Sequence, residues 1–113
     1  MSASSPSEPS GQHGQETDAA NAVRRAANEV RRRVIEWRES PLWQDDDANR
    51  DRHDLTIRAV TALDSLPGAA HASQLAEAVR PILEAWRPNR AGPEQAIYAA
   101  VDRLRVALQH LSD

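Results

Sequence analysis

Apolar residues recur every three or four positions in four separate stretches of the chain, a spacing that predicts four α-helices. From Asp18 to Glu39, with no Gly or Pro, the run is Val23, Ala27, Val30, Val34 and Trp37. Its alternating steps of four and three make the seam of a coiled-coil-like helix. Ser40-Pro41 ends it, because proline disfavours helical geometry in the residue before it. The second run, Leu55, Ala59, Ala62, Leu63 and Leu66, is widened by Val60 and is expected to face the core. One of Asp45, Asp46 and Asp47 should cap this helix, the others favouring its positive N-terminus. Ile57 falls nearly opposite the stripe and is expected to be exposed. Pro67-Gly68 stops the helix.

Leu75, Val79, Ile82, Leu83 and Trp86 mark a third helix from about Ser73 to Trp86. Pro81 inside it removes one hydrogen bond at a cost of ~3 kcal/mol, so a kink or a break is expected there. After a loop from Arg87 to Gly92, Pro93 suits the first turn of a fourth helix. There Ile97, Val101, Leu104, Leu108 and Leu111 repeat the four-three spacing. One arrangement buries all four stripes: an all-α, antiparallel up-down-up-down four-helix bundle with short loops. Residues 1–17, rich in Ser, Pro, Gly and Gln, are expected to form a disordered tail, leaving 18–113 as a single domain.

That topology puts the end of helix one, the start of two, the end of three and the start of four at one pole. Trp37, Trp43, Trp86 and Tyr98, all the aromatic residues of the chain, lie at those four termini. Trp and Tyr are favoured anchors for partner helices and peptides, so the pole is the first candidate binding site. The competing structural role is a hydrophobic lid on the bundle, with Trp43 as a plug from the loop.

Composition narrows the chemistry. At 113 residues the chain holds one core, and its apolar share leans on Ala, Leu and Val, with no Phe. The absence of cysteine excludes disulfides, thiolate metal sites and thiol nucleophiles. No stretch approaches the ~20 apolar residues of a membrane span, and the first residues lack the pattern of a secretory signal. A cytoplasmic protein without membrane contact is expected. No nucleophile, base and orienting group assemble into a catalytic set, so no enzyme activity and no cofactor are expected.

All 14 basic side chains are Arg, and the net charge is −3. Arg24, Arg31 and Arg38 recur every seven residues along helix one, a ridge with the spacing to track phosphates. This is the alternative binding site, for nucleic acid. Against it stand the overall acidity and the six Asp between Leu42 and Leu66, positioned to neutralise the ridge from the neighbouring helix. Pairs of opposite charge, Glu29–Arg33, Arg32–Glu36, Asp46–Arg50 and Asp54–Arg58, are also in helical register.

Asp45, Asp47, Asn49 and Asp51 alternate as in the first half of an EF-hand calcium loop. Arg50 stands where that loop needs Gly, and Thr56 where it needs a bidentate Glu, so no metal site is expected. The four His are scattered, without the spacing of a helical metal site. Helix one is longer than its neighbours, and its small residues from Ala19 to Ala27 should overhang them, which makes a second copy a candidate partner beside a different protein. The overall expectation is a non-catalytic regulatory or adaptor module.

Overall fold

The computed structural model describes residues 10–87 and 94–111, with side chains from Asp18 onward in those ranges. Among the described residues there are four helices and no strand: α1 (Ser10–Glu39), α2 (Asp47–Asp64), α3 (Ala72–Ala85) and α4 (Gln95–Gln109). The helices pack as a bundle, with the broadest contacts between α1 and α4, α2 and α3, and α1 and α2. Cross-links set their relative directions. Arg24 reaches the end of α2, donating to the Leu63 and Pro67 carbonyls at 3.0 Å, while Arg38 lies 4.0 Å from Asp54 nearer its start. Thr56 meets Trp86, and Arg105 of α4 donates to the Leu83 carbonyl of α3. The Arg24 and Arg38 contacts show that α1 and α2 run in opposite directions.

The seam of α1 is buried at every expected position: Val23, Ala27, Val30, Val34 and Trp37. Leu75, Val79, Ile82 and Trp86 do the same for α3, and Ile97, Val101 and Leu104 for α4, with Leu83, Leu108 and Leu111 packed at the margin. Ala26 of α1 and Ala100 and Ala107 of α4 belong to the same packed set. Small side chains there let two backbones approach closely, which fits the breadth of the α1–α4 contact.

α2 departs from its expected stripe. Its buried residues are Asn49, Thr56, Ala59, Val60 and Leu63, whereas Leu55 is half-buried and Ala62 exposed. The inner face is rotated by about one residue because Thr56, a polar side chain, has partners inside the bundle and can be buried at little cost. Ile57 is half-buried, not exposed. The Arg38–Asp54 and Arg31–Asp64 pairs set the register of α1 on α2. Ala62 and Leu66 border a shallow groove of about 470 Å³ between α2 and α3, shared with Ser73, Gln74, Glu77 and Ala78.

Three boundaries also differ from expectation. α1 begins at Ser10, eight residues before the expected start, and residues 1–9 of the expected tail lie outside the described residues. Pro81 sits within a single helix, Ala72–Ala85, so the third segment is not two short helices. Pro93, expected to open the last helix, lies outside the described residues. At 30 residues α1 is about 45 Å long, against about 27 Å for the 18 residues of α2. Val23 and Ala27 are nonetheless fully buried, so the overhang precedes Ala20 and excludes most of the segment expected to project.

Asp46 caps α2: its side chain accepts from the Asn49 backbone N–H at 2.9 Å. Asp46→Ala leaves that donor without its partner and is expected to lower unfolding free energy by about 1 kcal/mol. Chemical denaturation measures this, and a loss under a few tenths of a kcal/mol would show that the cap contributes little.

Candidate functional site

The four aromatic residues form one connected row at a single end of the bundle. Trp43 stands edge-on to Trp37 with ring centroids 4.5 Å apart, Trp37 to Trp86 at 5.5 Å, and Trp86 to Tyr98 at 5.4 Å. All three pairs are T-shaped, the arrangement that sets a ring's positive edge against its neighbour's negative face. Local sequence explains how each ring arrives there. Trp37 is in the last turn of α1, Trp86 is the C-cap residue of α3, and Tyr98 lies in the first turn of α4. Trp43 is delivered by a tight turn after α1, in which its N–H donates to the Ser40 carbonyl.

Burial divides the row. Trp37, Trp86 and Tyr98 are buried, whereas Trp43 is only partly so. Three of the four expected binding residues therefore belong to the core. The adjoining Leu42 is 63% exposed, the most exposed large apolar residue among the described residues.

A cation sits inside the aromatic row. The Arg52 guanidinium lies 4.4 Å from the Trp86 ring centroid and 5.4 Å from that of Trp37. It donates to Asn49 Oδ1 at 2.7 Å and to the Tyr98 hydroxyl at 3.5 Å, and pairs with Glu94 at 3.7 Å. Below it, Trp86 Nε1 donates to Thr56 Oγ1 at 3.0 Å, and that hydroxyl donates to the Arg52 carbonyl at 2.7 Å. Every polar atom named here has a partner, as a low-dielectric site requires. Arg52, Asn49 and Glu94 are absent from the pole expected from sequence. A signal was present: Asn49, Arg52, Thr56, Ala59 and Leu63 continue the three-four spacing of α2 through polar residues.

Around Trp43, Arg38 and Asp54 are more exposed than Arg52. Arg38 lies over its ring at 5.3 Å and His53 stands edge-on at 6.2 Å. His53 Nδ1 is 3.0 Å from Asp54 Oδ1. The hydrogen bond to His53 holds the Asp54 carboxyl below its usual range, with help from the charges of His53, Arg38 and Arg58. Asp45 is lowered chiefly by its hydrogen bond to Arg50, and the Trp43 indole adds to the effect. Folded-state values below the unfolded ones mean these carboxylates stabilise the fold at neutral pH, a contribution lost as pH falls through the folded values. Both groups are exposed, so the effect is small.

The Arg ridge is engaged inside the protein. Arg24 binds carbonyls at the C-terminal end of α2, where a cation meets the negative end of the helix dipole. Arg31 pairs with Asp64 at 3.4 Å and also bonds Asn28, and Arg38 lies between Asp54 and Trp43. All three sit on the flank of α1 that meets α2. The helical ion pairs are partly re-matched: Glu29 binds both Arg32 and Arg33, and Arg33 also binds Glu36. Arg50 binds Asp45 and Asp47, which leaves Asp46 to its cap. Among the described residues, no group of three or more His, Asp or Glu is placed to hold a metal ion. No described helix is long and apolar enough to cross a membrane.

Comparison with protein-family models, with curated proteins and with solved structures finds no match for this chain.

Proposed function

We propose that the protein is a non-catalytic interaction module that binds a protein partner, or a second copy of itself, at the aromatic pole. The observation that carries this reading is the apolar tip of the pole: exposed Leu42 beside partly buried Trp43, seated on an aromatic row that is otherwise buried. Buried rings beneath an exposed apolar residue give a rigid, pre-organised surface, and binding there orders few side chains. Trp37, Trp86 and Tyr98 support the surface from below, and Leu42 and Trp43 make the contact.

The nucleic-acid alternative would use Arg24, Arg31 and Arg38, which the bundle already employs to join α1 to α2. Affinity capture from the source cells, with and without nuclease, separates the two readings. Leu42→Ser and Trp43→Ala are expected to reduce partner capture at least roughly ten-fold, as loss of an interface anchor does. Gln at Arg24, Arg31 and Arg38 should leave capture intact once folding has been checked by circular dichroism. Capture lost on nuclease treatment, or insensitive to Leu42→Ser and Trp43→Ala, would refute the proposal.

A further inference from the structure

Leu42 is held outward by the turn that carries it. Its N–H donates to Ser40 Oγ at 3.0 Å, the Trp43 N–H donates to the Ser40 carbonyl at 3.0 Å, and Pro41 restricts the backbone between them. The segment that follows is fastened from inside. Asn49, 8% exposed, donates from Nδ2 to the Gln44 carbonyl at 2.7 Å and accepts from Arg52 through Oδ1. The acidic run Asp45–Asp47 is thereby tied to the aromatic row. Charge is concentrated at this corner. Between Glu36 and Asp54 stand seven of the chain's 17 acidic residues and three of its 14 basic ones, a charge of −4 where the whole chain carries −3. Arg87 and Glu94, from the ends of α3 and α4, add opposite charges. The three cations are already engaged: Arg38 by the Trp43 ring and Asp54, Arg50 by Asp45 and Asp47, and Arg52 inside the aromatic row. Glu39, Asp47 and Asp51 face solvent, and Asp47 and Asp51 lie one turn apart on the same side of α2.

We propose that the occupant of this tip is a basic segment of another protein, which sets an apolar side chain against Leu42 and Trp43 and Lys or Arg side chains against Glu39, Asp47 and Asp51. The partner so defined rests on the docking surface proposed above. A second copy fits poorly, because a two-fold pairing of the tip sets the same patch against itself, and so acid against acid. Phosphate-bearing partners meet the same repulsion. A basic segment gains on both counts. Apolar contact at Leu42 and Trp43 supplies the affinity of a central anchor. Opposite charge at the rim speeds encounter and fixes orientation. Turn and acidic run are both pinned before binding, so little ordering is lost on contact.

Two peptides of equal length, a Leu–Lys amphipathic helix and its Leu–Glu counterpart, test this on the full chain. Amide chemical shifts of ¹⁵N-labelled protein locate each peptide, and their titration gives Kd. The Leu–Lys peptide should shift Leu42, Trp43, Asp47 and Asp51, and the Leu–Glu peptide should bind at least roughly ten-fold more weakly. Raising salt from about 0.1 M to about 1 M shortens the screening length from ~10 Å to ~3 Å and should weaken the Leu–Lys complex several-fold. Glu39→Gln/Asp47→Asn/Asp51→Asn should do the same, since it leaves Asp45 on Arg50 and Asp46 on its cap. If circular dichroism shows that variant to be unstable, Glu39→Gln/Asp51→Asn replaces it. Equal binding of the two peptides, shifts centred away from Leu42, or an unchanged Kd in the neutralised variant would overturn the basic partner. So would a Leu42-dependent dimer in sedimentation. Capture from cells separates this outcome from failure of the docking site. Capture lost in Leu42→Ser but intact in the neutralised variant overturns the basic partner alone, and capture insensitive to both overturns the site as well.

Discussion

Trp86→Ala is expected to remove about 5 kcal/mol of folding free energy, enough to leave a domain of this size largely unfolded at 25 °C. The indole is fully buried and is the largest such side chain in the protein. Its removal opens a large cavity and breaks two edge-to-face pairs, with Trp37 and Tyr98. The Arg52 guanidinium loses the closer of its two rings, and the Thr56 hydroxyl loses the N–H that it accepts. Trp86→Phe separates these effects. It keeps most of the packing and deletes the N–H, and should cost about 1–3 kcal/mol. In the Trp86→Phe background, Thr56→Val should cost less than it does in the parent protein, because the two residues share one hydrogen bond. Urea unfolding measures the parent and the four variants. A Trp86→Ala variant that melts within a few degrees of the parent would contradict the packing described here.

Arg52→Met carries the second large effect, a loss of about 2–4 kcal/mol. Methionine replaces the aliphatic stem and removes the guanidinium that links α2 to α4 through Tyr98 and Glu94. A desolvated cation over an aromatic face contributes ~2 kcal/mol, and hydrogen bonds to a charged group contribute a comparable amount. Arg52 is 24% exposed at its side chain, so these contributions are only partly screened. Lysine should not restore stability. Its point charge cannot cover two rings and serve Asn49 and Tyr98 together, as a planar fork can. Equal melting temperatures for Arg52→Lys and the parent would show that charge alone, without the planar geometry, suffices at this position.

The two variants probe the part of the molecule least visible in its sequence. The seams of α1, α3 and α4 were legible because each follows an apolar period that depends only on chain geometry. Meeting of the three Trp and Tyr98 at one pole was legible too, since alternating helix directions bring those termini together. α2 was misjudged where polar residues hold inner positions. Thr56 is buried because Trp86, 30 positions away, donates to it, and no local pattern reports such a partner. Arg52 stands in the sequence among the charged residues of α2, whereas its neighbours in the fold are two indoles, an amide, a phenol and Glu94.

Exposure was the other quantity beyond reach. The sequence could place Trp37, Trp43, Trp86 and Tyr98 together, but only packing decided that three are sealed and that Leu42, next to the fourth, faces solvent. The Arg24, Arg31 and Arg38 ridge was likewise a true ridge, and the proximity of α2 decided what it touches. Periodicity along the chain determined by itself the number of helices and most of the apolar faces, because a helix repeats every 3.6 residues whatever surrounds it. Tertiary structure alone assigned partners to the polar side chains and chose which aromatic rings meet water. Those outcomes depend on atoms brought within a few ångströms by folding, whose separation along the chain carries no trace of the contact.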